Sequence, residues 1–195
     1  SLRQYLLIVR SKHFWAYTSC YALTQGALLG YYSAMPFWYV QQWHIPEQYY
    51  AFLALFNVVA YVSALAMTRY LVNYWRLTSL IRCGMLLGSV TVVIALFLSI
   101  YNAHSWVPIV IIMTLMALSS GVIFPSANAA GLSYFKKQAG PYSALTSSSM
   151  FLMAAIFSYI ESHLLVIHLW PLTLFLGVVN MMIWILHIVT AARSS

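Results

Sequence analysis

Charge is what this sequence has least of. Only 6% of its 195 residues are Asp, Glu, Lys or Arg, and only two, Glu47 and Glu161, are acidic. An ordinary soluble domain is about a quarter charged. A water-facing surface cannot be assembled from so few charges, so a soluble globule is excluded. Cysteine is equally sparse. Cys20 and Cys83 both fall inside apolar runs, where they read as small buried hydrophobes and say nothing of the redox compartment. The formal net charge of +7 does not point to nucleic acid, because that requires a basic face clustered on a soluble domain. A short cleavable signal is also missing. The chain opens on Ser1 and the basic amphipathic stretch SLRQYLLIVRSKHF, and is expected to be a piece of something longer.

What the chain has in abundance is apolar length. Hydrophobic residues make up 63% of it and gather in six runs, at about 14–40, 49–71, 78–101, 106–134, 142–164 and 171–190. Each run is long enough for a helix to cross a bilayer core of about 30 Å. Open strands would leave backbone groups unpaired in lipid, and the runs are too uniformly apolar for the alternating code of a barrel. Turn-forming residues separate them: Ile45-Pro46-Glu47, Asn73-Tyr74-Trp75-Arg76, Asn102-Ala103-His104, Gln138-Ala139-Gly140-Pro141 and Trp170-Pro171. The expected fold is therefore all-α and polytopic. It has a cytoplasmic amphipathic linker at 1–13, a six-helix transmembrane bundle at 14–190 and a cytoplasmic tail at 191–195.

The few cations fix an expected orientation. Arg3, Arg10 and Lys12 precede the first run, Arg69, Arg76 and Arg82 bracket the second connection, Lys136 and Lys137 lie in the fourth, and Arg193 follows the last. With six spans, all nine fall on one side. The first, third and fifth connections hold only His44, Glu47, His104 and His168, with Glu161 and His163 at the end of the fifth span. The positive-inside rule then puts both termini and the even-numbered connections in the cytoplasm.

Two of the runs are interrupted alike. The first carries Gly26, Gly30 and Pro36; the fourth carries Gly121, Pro125 and Gly131. Each opens a group of three helices, as in an inverted three-plus-three repeat with broken helices lining a pathway. The same residues are also explained by the general frequency of Gly and Pro in membrane helices.

Several segments together carry a resemblance. They are Leu2 to Tyr17, Ala34-Met35-Pro36-Phe37, the run GVIFPSANAAGL from Gly121 to Leu132, and Ala139-Gly140 followed by Ser143-Ala144-Leu145. They resemble the C-terminal half of a major facilitator superfamily transporter, and within that superfamily most resemble the Bcr/CflA-type drug:proton antiporters. The resemblance implies that these are spans seven to twelve of a protein whose two six-helix halves enclose a cavity and rock about it. The first, second, fourth and fifth helices of each half would face the cavity. It further implies that the coupling acid lies in an N-terminal half. The chain departs from the pattern in two ways. The second connection keeps Arg69 and Arg76 of a loop motif that forms a conformational gate, but lacks its acidic residue. Tyr142 and Ser147 stand where small residues are usual.

Helical spacing groups the polar residues of four helices into stripes. Tyr21, Gln25 and Tyr32 share a face of the first, and Tyr50, Asn57, Tyr61 and Thr68 share one on the second. Thr114, Gly121 and Asn128 align on the fourth, and Ser143, Ser147, Met150 and Ser158 on the fifth. In lipid an amide must find a partner or line a wet pathway. Tyr and Met add polarizable surface and a ring face that attracts cations. Tyr21, Gln25, Tyr32, Asn57, Tyr61, Asn128, Ser147 and Met150 are the candidate substrate-binding residues. For each, plain interhelical packing is the alternative. Trp38, Trp43, Trp75, Trp106 and Trp170 read as an interfacial belt. Glu161 and His187 read as interfacial groups near helix ends, and Glu161 is the candidate for a proton-linked role.

No catalytic residues are expected. His44, Glu47, His104, Glu161, His163 and His168 match no tight metal-ligand spacing. An intramembrane protease is disfavoured because no G-x-S-x-G elbow is present and Ser119-Ser120-Gly121 lacks a base. The expected function is half of a proton-coupled secondary transporter of the inner cell membrane, exporting drugs or small amphipathic molecules by alternating access. Its expected partners are a small-molecule substrate, the lipid bilayer, and an N-terminal half or a second copy of this half. It would use the proton gradient and no cofactor. The alternatives are transport of a specific metabolite by the same fold, and a membrane assembly module that pairs with a second copy.

Overall fold

A computed structural model describes residues 2–101, 105–164 and 168–191. His104, Arg193 and tail residues 192–195 lie outside them. The first nine helical residues form α1, Leu2–Arg10. The backbone is extended at Ser11 (φ −76°, ψ 131°) before α2 begins at Lys12 and runs to Pro36. The helix then widens into a π-helical turn over Phe37–Gln42. Pro36 explains the widening, since it has no N–H to give the carbonyl one turn earlier. The Trp43 amide reaches back five residues to Trp38 (3.1 Å) and the Ile45 amide six to Tyr39 (2.8 Å). His44, at φ 52°, ends the segment.

Four more long helices follow the first connection: α3 (Glu47–Leu71), α4 (Leu77–Ile100), α5 (Val107–Tyr134) and, after a single 3-10 turn at Lys136–Gln138, α6 (Ala139–Ser162). The last is α7 (Leu169–Ala191). No strand occurs among the described residues. Among the described residues five helical segments are long and apolar enough to cross a membrane: α3, α4, α5, Lys136–Ser162 and Leu169–Val189. Six were expected. The remaining one, 14–40, is helical through Gln42 but too polar to count with the others. Its surroundings allow that polarity: most of α2 between Thr18 and Met35 is buried against other helices and not against lipid.

Consecutive helices mostly do not pack on one another. The extensive pairs are α2 with α6, α5 and α7, α5 with α4 and α3, and α4 with α7. Exchanging α2, α3 and α4 for α5, α6 and α7 maps every one of these pairs onto another or onto itself. The direction of each pair follows from its register. Thr18 meets Thr146 and Trp38 meets Glu161, so α2 and α6 run parallel. Gln25 meets Ser120 and Tyr21 meets Phe124, so α2 and α5 run antiparallel. Glycine permits close approach at two of the parallel pairs. A Cβ on Gly26 would lie 2.8 Å from the Met153 Cβ on α6, and one on Gly121 would lie 2.6 Å from the Ala64 Cβ on α3.

The main core is built by α2, α4, α5 and α7, with Leu28, Tyr31, Met85, Ile109, Met113, Leu172 and Leu176 among its buried members. A smaller cluster ties α1 to the start of α6 through Ile8, Phe14 and Tyr142. Tyr142 is large where the resemblance leads one to expect a small residue. Its ring stacks on Phe135 and fills the space a side chain on Gly131 would need. Phe52, Phe56, Val59 and Val62 on α3 and Leu174, Val178 and Met181 on α7 remain exposed, as lipid-facing residues should.

Candidate functional site

The candidate residues converge where α2, α3, α5 and α6 meet. Gln25 is at the centre and is 8% exposed. Its Oε1 accepts a hydrogen bond from Ser120 Oγ of α5 at 2.8 Å and a long one from the Tyr61 hydroxyl of α3 at 3.5 Å. One turn earlier on α2, Tyr21 stacks on Phe124 of α5, with ring centroids 4.8 Å apart. Its hydroxyl has Ser147 of α6 as a polar neighbour. Four helices thus contribute to one polar and aromatic cluster inside an apolar bundle.

The helix geometry explains why these residues meet. Gln25 lies one residue before Gly26, where the backbones of α2 and α6 come together, and Ser120 lies one residue before Gly121, where α5 and α3 do. Most buried hydroxyls of the bundle are satisfied by their own helix: Ser19 donates to the Trp15 carbonyl, Thr24 to Cys20 and Thr146 to Tyr142. Gln25 instead binds groups on other helices, so it is the residue that ties α2 to α3 and α5 by polar contact.

The other candidates are more scattered. Tyr32 is close to Tyr61 and its hydroxyl is buried with no hydrogen-bond partner among the described residues. Asn57 is fully buried; its Nδ2 donates to the Leu53 carbonyl at 3.2 Å and its Oδ1 has no partner among the described residues. Met150 is half-buried and packs against the main core, and Asn128 is half-buried one turn beyond Phe124. Arg69 and Arg76 are exposed near the end of α3 and in the connection after it, away from the cluster. Glu161, expected at an interface, is completely covered by protein. Ser120 and Phe124 belong to the cluster but were not among the candidates. A serine's ability to bond its own backbone leaves no sequence signal for the helix it faces.

Two open hollows lie near the Pro36 end of α2. One, of about 340 Å³, is walled by Pro36, Phe37, Val40, Gln41, Glu47 and Tyr50. The other, of about 360 Å³, lies between His44, Pro46, Tyr49, Phe52 and Trp106. No group of three or more His, Cys, Asp or Glu residues gathers to hold a metal among the described residues. The cluster around Gln25 offers hydrogen-bonding groups and aromatic faces.

No protein-family model matches the chain, and a search of curated proteins finds no match either.

Proposed function

We propose that this chain is the six-helix C-terminal half of a secondary transporter of the major facilitator type. It would export drugs or small amphipathic molecules across the inner cell membrane in exchange for protons, by rocking against a second half. The observation that carries the reading is the Gln25 cluster together with the packing around it. The helix pairs are unchanged when the first three spans are exchanged for the last three, as an inverted repeat requires. The two central helices, α2 and α5, carry Gln25 and Ser120, and α3 adds Tyr61. A buried amide ringed by tyrosine and phenylalanine suits cargo that is apolar or cationic, since it makes few rigid demands. Its affinity need differ only modestly between inward and outward states, because a site that holds cargo tightly in both never releases it.

The experiment uses the complete transporter reconstituted in proteoliposomes. Gln25→Ala and Asn57→Ala are expected to change which drugs drive proton release while leaving membrane insertion intact. Unchanged transport of every cargo in both variants would overturn the assignment of these residues. Epitope tags at the two ends of this segment are expected on the same face of the membrane. Tags on opposite faces would overturn the six-span reading itself.

A further inference from the structure

Glu161 is the one acidic side chain enclosed by the bundle. It has 0% exposure, and neither carboxyl oxygen has a hydrogen-bond partner among the described residues. An ionised carboxylate with no donor and no counter-charge is among the costliest groups a protein can bury. The wall it faces is bare backbone: Oε2 lies 2.7 Å from the point where a Cβ on Gly30 would stand. Polar bonds close the same end of the two helices. Trp38 Nε1 donates to the Glu161 carbonyl and Gln42 Nε2 to the Leu164 carbonyl, each at 3.0 Å. The Glu161 carbonyl also accepts the Leu164 amide at 3.1 Å, and both side-chain donors sit on the π-helical turn after Pro36.

The titratable groups around Glu161 supply no counter-charge. From α2 comes Tyr31, whose hydroxyl lies 3.3 Å from that of Tyr39, with Tyr32 packed beside it. On α6 itself, His163 is exposed and its Nδ1 lies 2.8 Å from the Tyr159 carbonyl. At the same end Tyr159 of α6 and His168, just before α7, are both exposed, while Lys136, Lys137 and Tyr134 lie towards the opposite end of α6.

We propose that Glu161 is a proton-binding site whose occupancy decides whether α2 and α6 stay closed at Gly30. With the proton bound, the side chain is neutral and the helices close over it. When the proton leaves, the carboxylate requires water, and the contact at Gly30 must open to admit it. The π-helical turn that holds Trp38 and Gln42 is the segment that would yield. A metal cation does not fit as the occupant, because it needs several oxygen ligands and Glu161 supplies the only carboxylate here. The inference rests on the surroundings of Glu161 and stands apart from the transport reading, and its test measures protonation without any cargo.

The test is infrared difference spectroscopy of the intact protein in lipid, comparing wild type with Glu161→Gln at neutral pH. The wild type is expected to show the carbonyl stretch of one protonated carboxylic acid that Glu161→Gln lacks. Gly30→Ala, which forces the helices apart, is expected to lose the same band. Absence of a protonated-acid band assigned to Glu161, or its persistence at full strength in Gly30→Ala, would overturn the proposal. If Glu161→Gln does not fold, Glu161→Met makes the assignment. Failure of both neutral variants to fold would show that the site requires a carboxylate, and would also overturn it.

Discussion

The two central helices, α2 and α5, occupy exchangeable places in the packing but differ in composition. Each lies against three other long helices, and each uses glycine to bring a neighbour close. Even so, α5 is among the five apolar spans and α2 is not. Burial by protein therefore permits polarity without requiring it. The surplus on α2 includes buried Thr18, Ser19, Thr24 and Gln25. Ser19 and Thr24 bond their own helix. Gln25 alone of the four is an amide, and its oxygen is satisfied from α5 and α3. The prolines differ too. Pro125 is absorbed within α5, which continues to Tyr134, whereas Pro36 ends the regular turns of α2 and starts the π-helical segment above Glu161. Two helices in equivalent positions thus differ in polarity and in how each accommodates its proline.

The largest expected effect tests the equivalence of position. Valine at Gly26 or at Gly121 would force apart backbones already in contact, since the first Cβ alone would meet Met153 at 2.8 Å or the Tyr61 carbonyl oxygen at 2.8 Å. Gly26→Val and Gly121→Val are each expected to lower stability by about 3 kcal/mol, the upper part of the usual overpacking range. Denaturant unfolding in mixed micelles would measure it. A large loss at one site with none at the other would break the equivalence of α2 and α5.

A smaller effect sharpens the difference in polarity. Gln25→Leu and Ser120→Ala, combined in a double-mutant cycle, are expected to show a coupling of about 1 kcal/mol, at the scale of interhelical hydrogen bonds in membranes. Thr24→Ala should show no coupling to Ser120→Ala, because Thr24 donates to the Cys20 carbonyl of its own helix. Additive effects in the first cycle would mean that Gln25 does not join α2 to α5.

How much of this could be read from the sequence depended on whether the signal was local. The helices were legible because apolar length in a charge-poor chain leaves no alternative. Their ends were legible to within a few residues: 78–101 was expected for the helix that spans Leu77–Ile100. Proline caused the larger misses. Pro141 and Pro171 read as turn signals in the sequence, yet both lie in the first turns of α6 and α7, where a missing N–H costs nothing. At the site, the facing of Gln25 and Tyr61 followed from stripes on two helices. The roles of Ser120 and Phe124 did not, because nothing local says which neighbour a side chain meets. Glu161 was read as interfacial from its position near a helix end. Its complete burial depends on Gly30, 131 positions away in sequence and on another helix.

The smallest expected effect comes from a glycine outside the central pair. Gly177 on α7 faces α4, and a Cβ there would meet Val92 at 3.7 Å, an ordinary van der Waals contact. Gly177→Ala should therefore leave stability within about 0.5 kcal/mol of wild type, or raise it slightly because alanine is the better helix former. The same unfolding measurement that registers Gly26→Val would register it. If Gly177→Ala proved as damaging as the central substitutions, glycine would be serving the whole bundle equally, and close approach could no longer distinguish the inner helices from the outer. A neutral outcome beside two large losses would show that Gly177 does not share the tight contacts at Gly26 and Gly121, where α2 and α5 each meet a parallel neighbour.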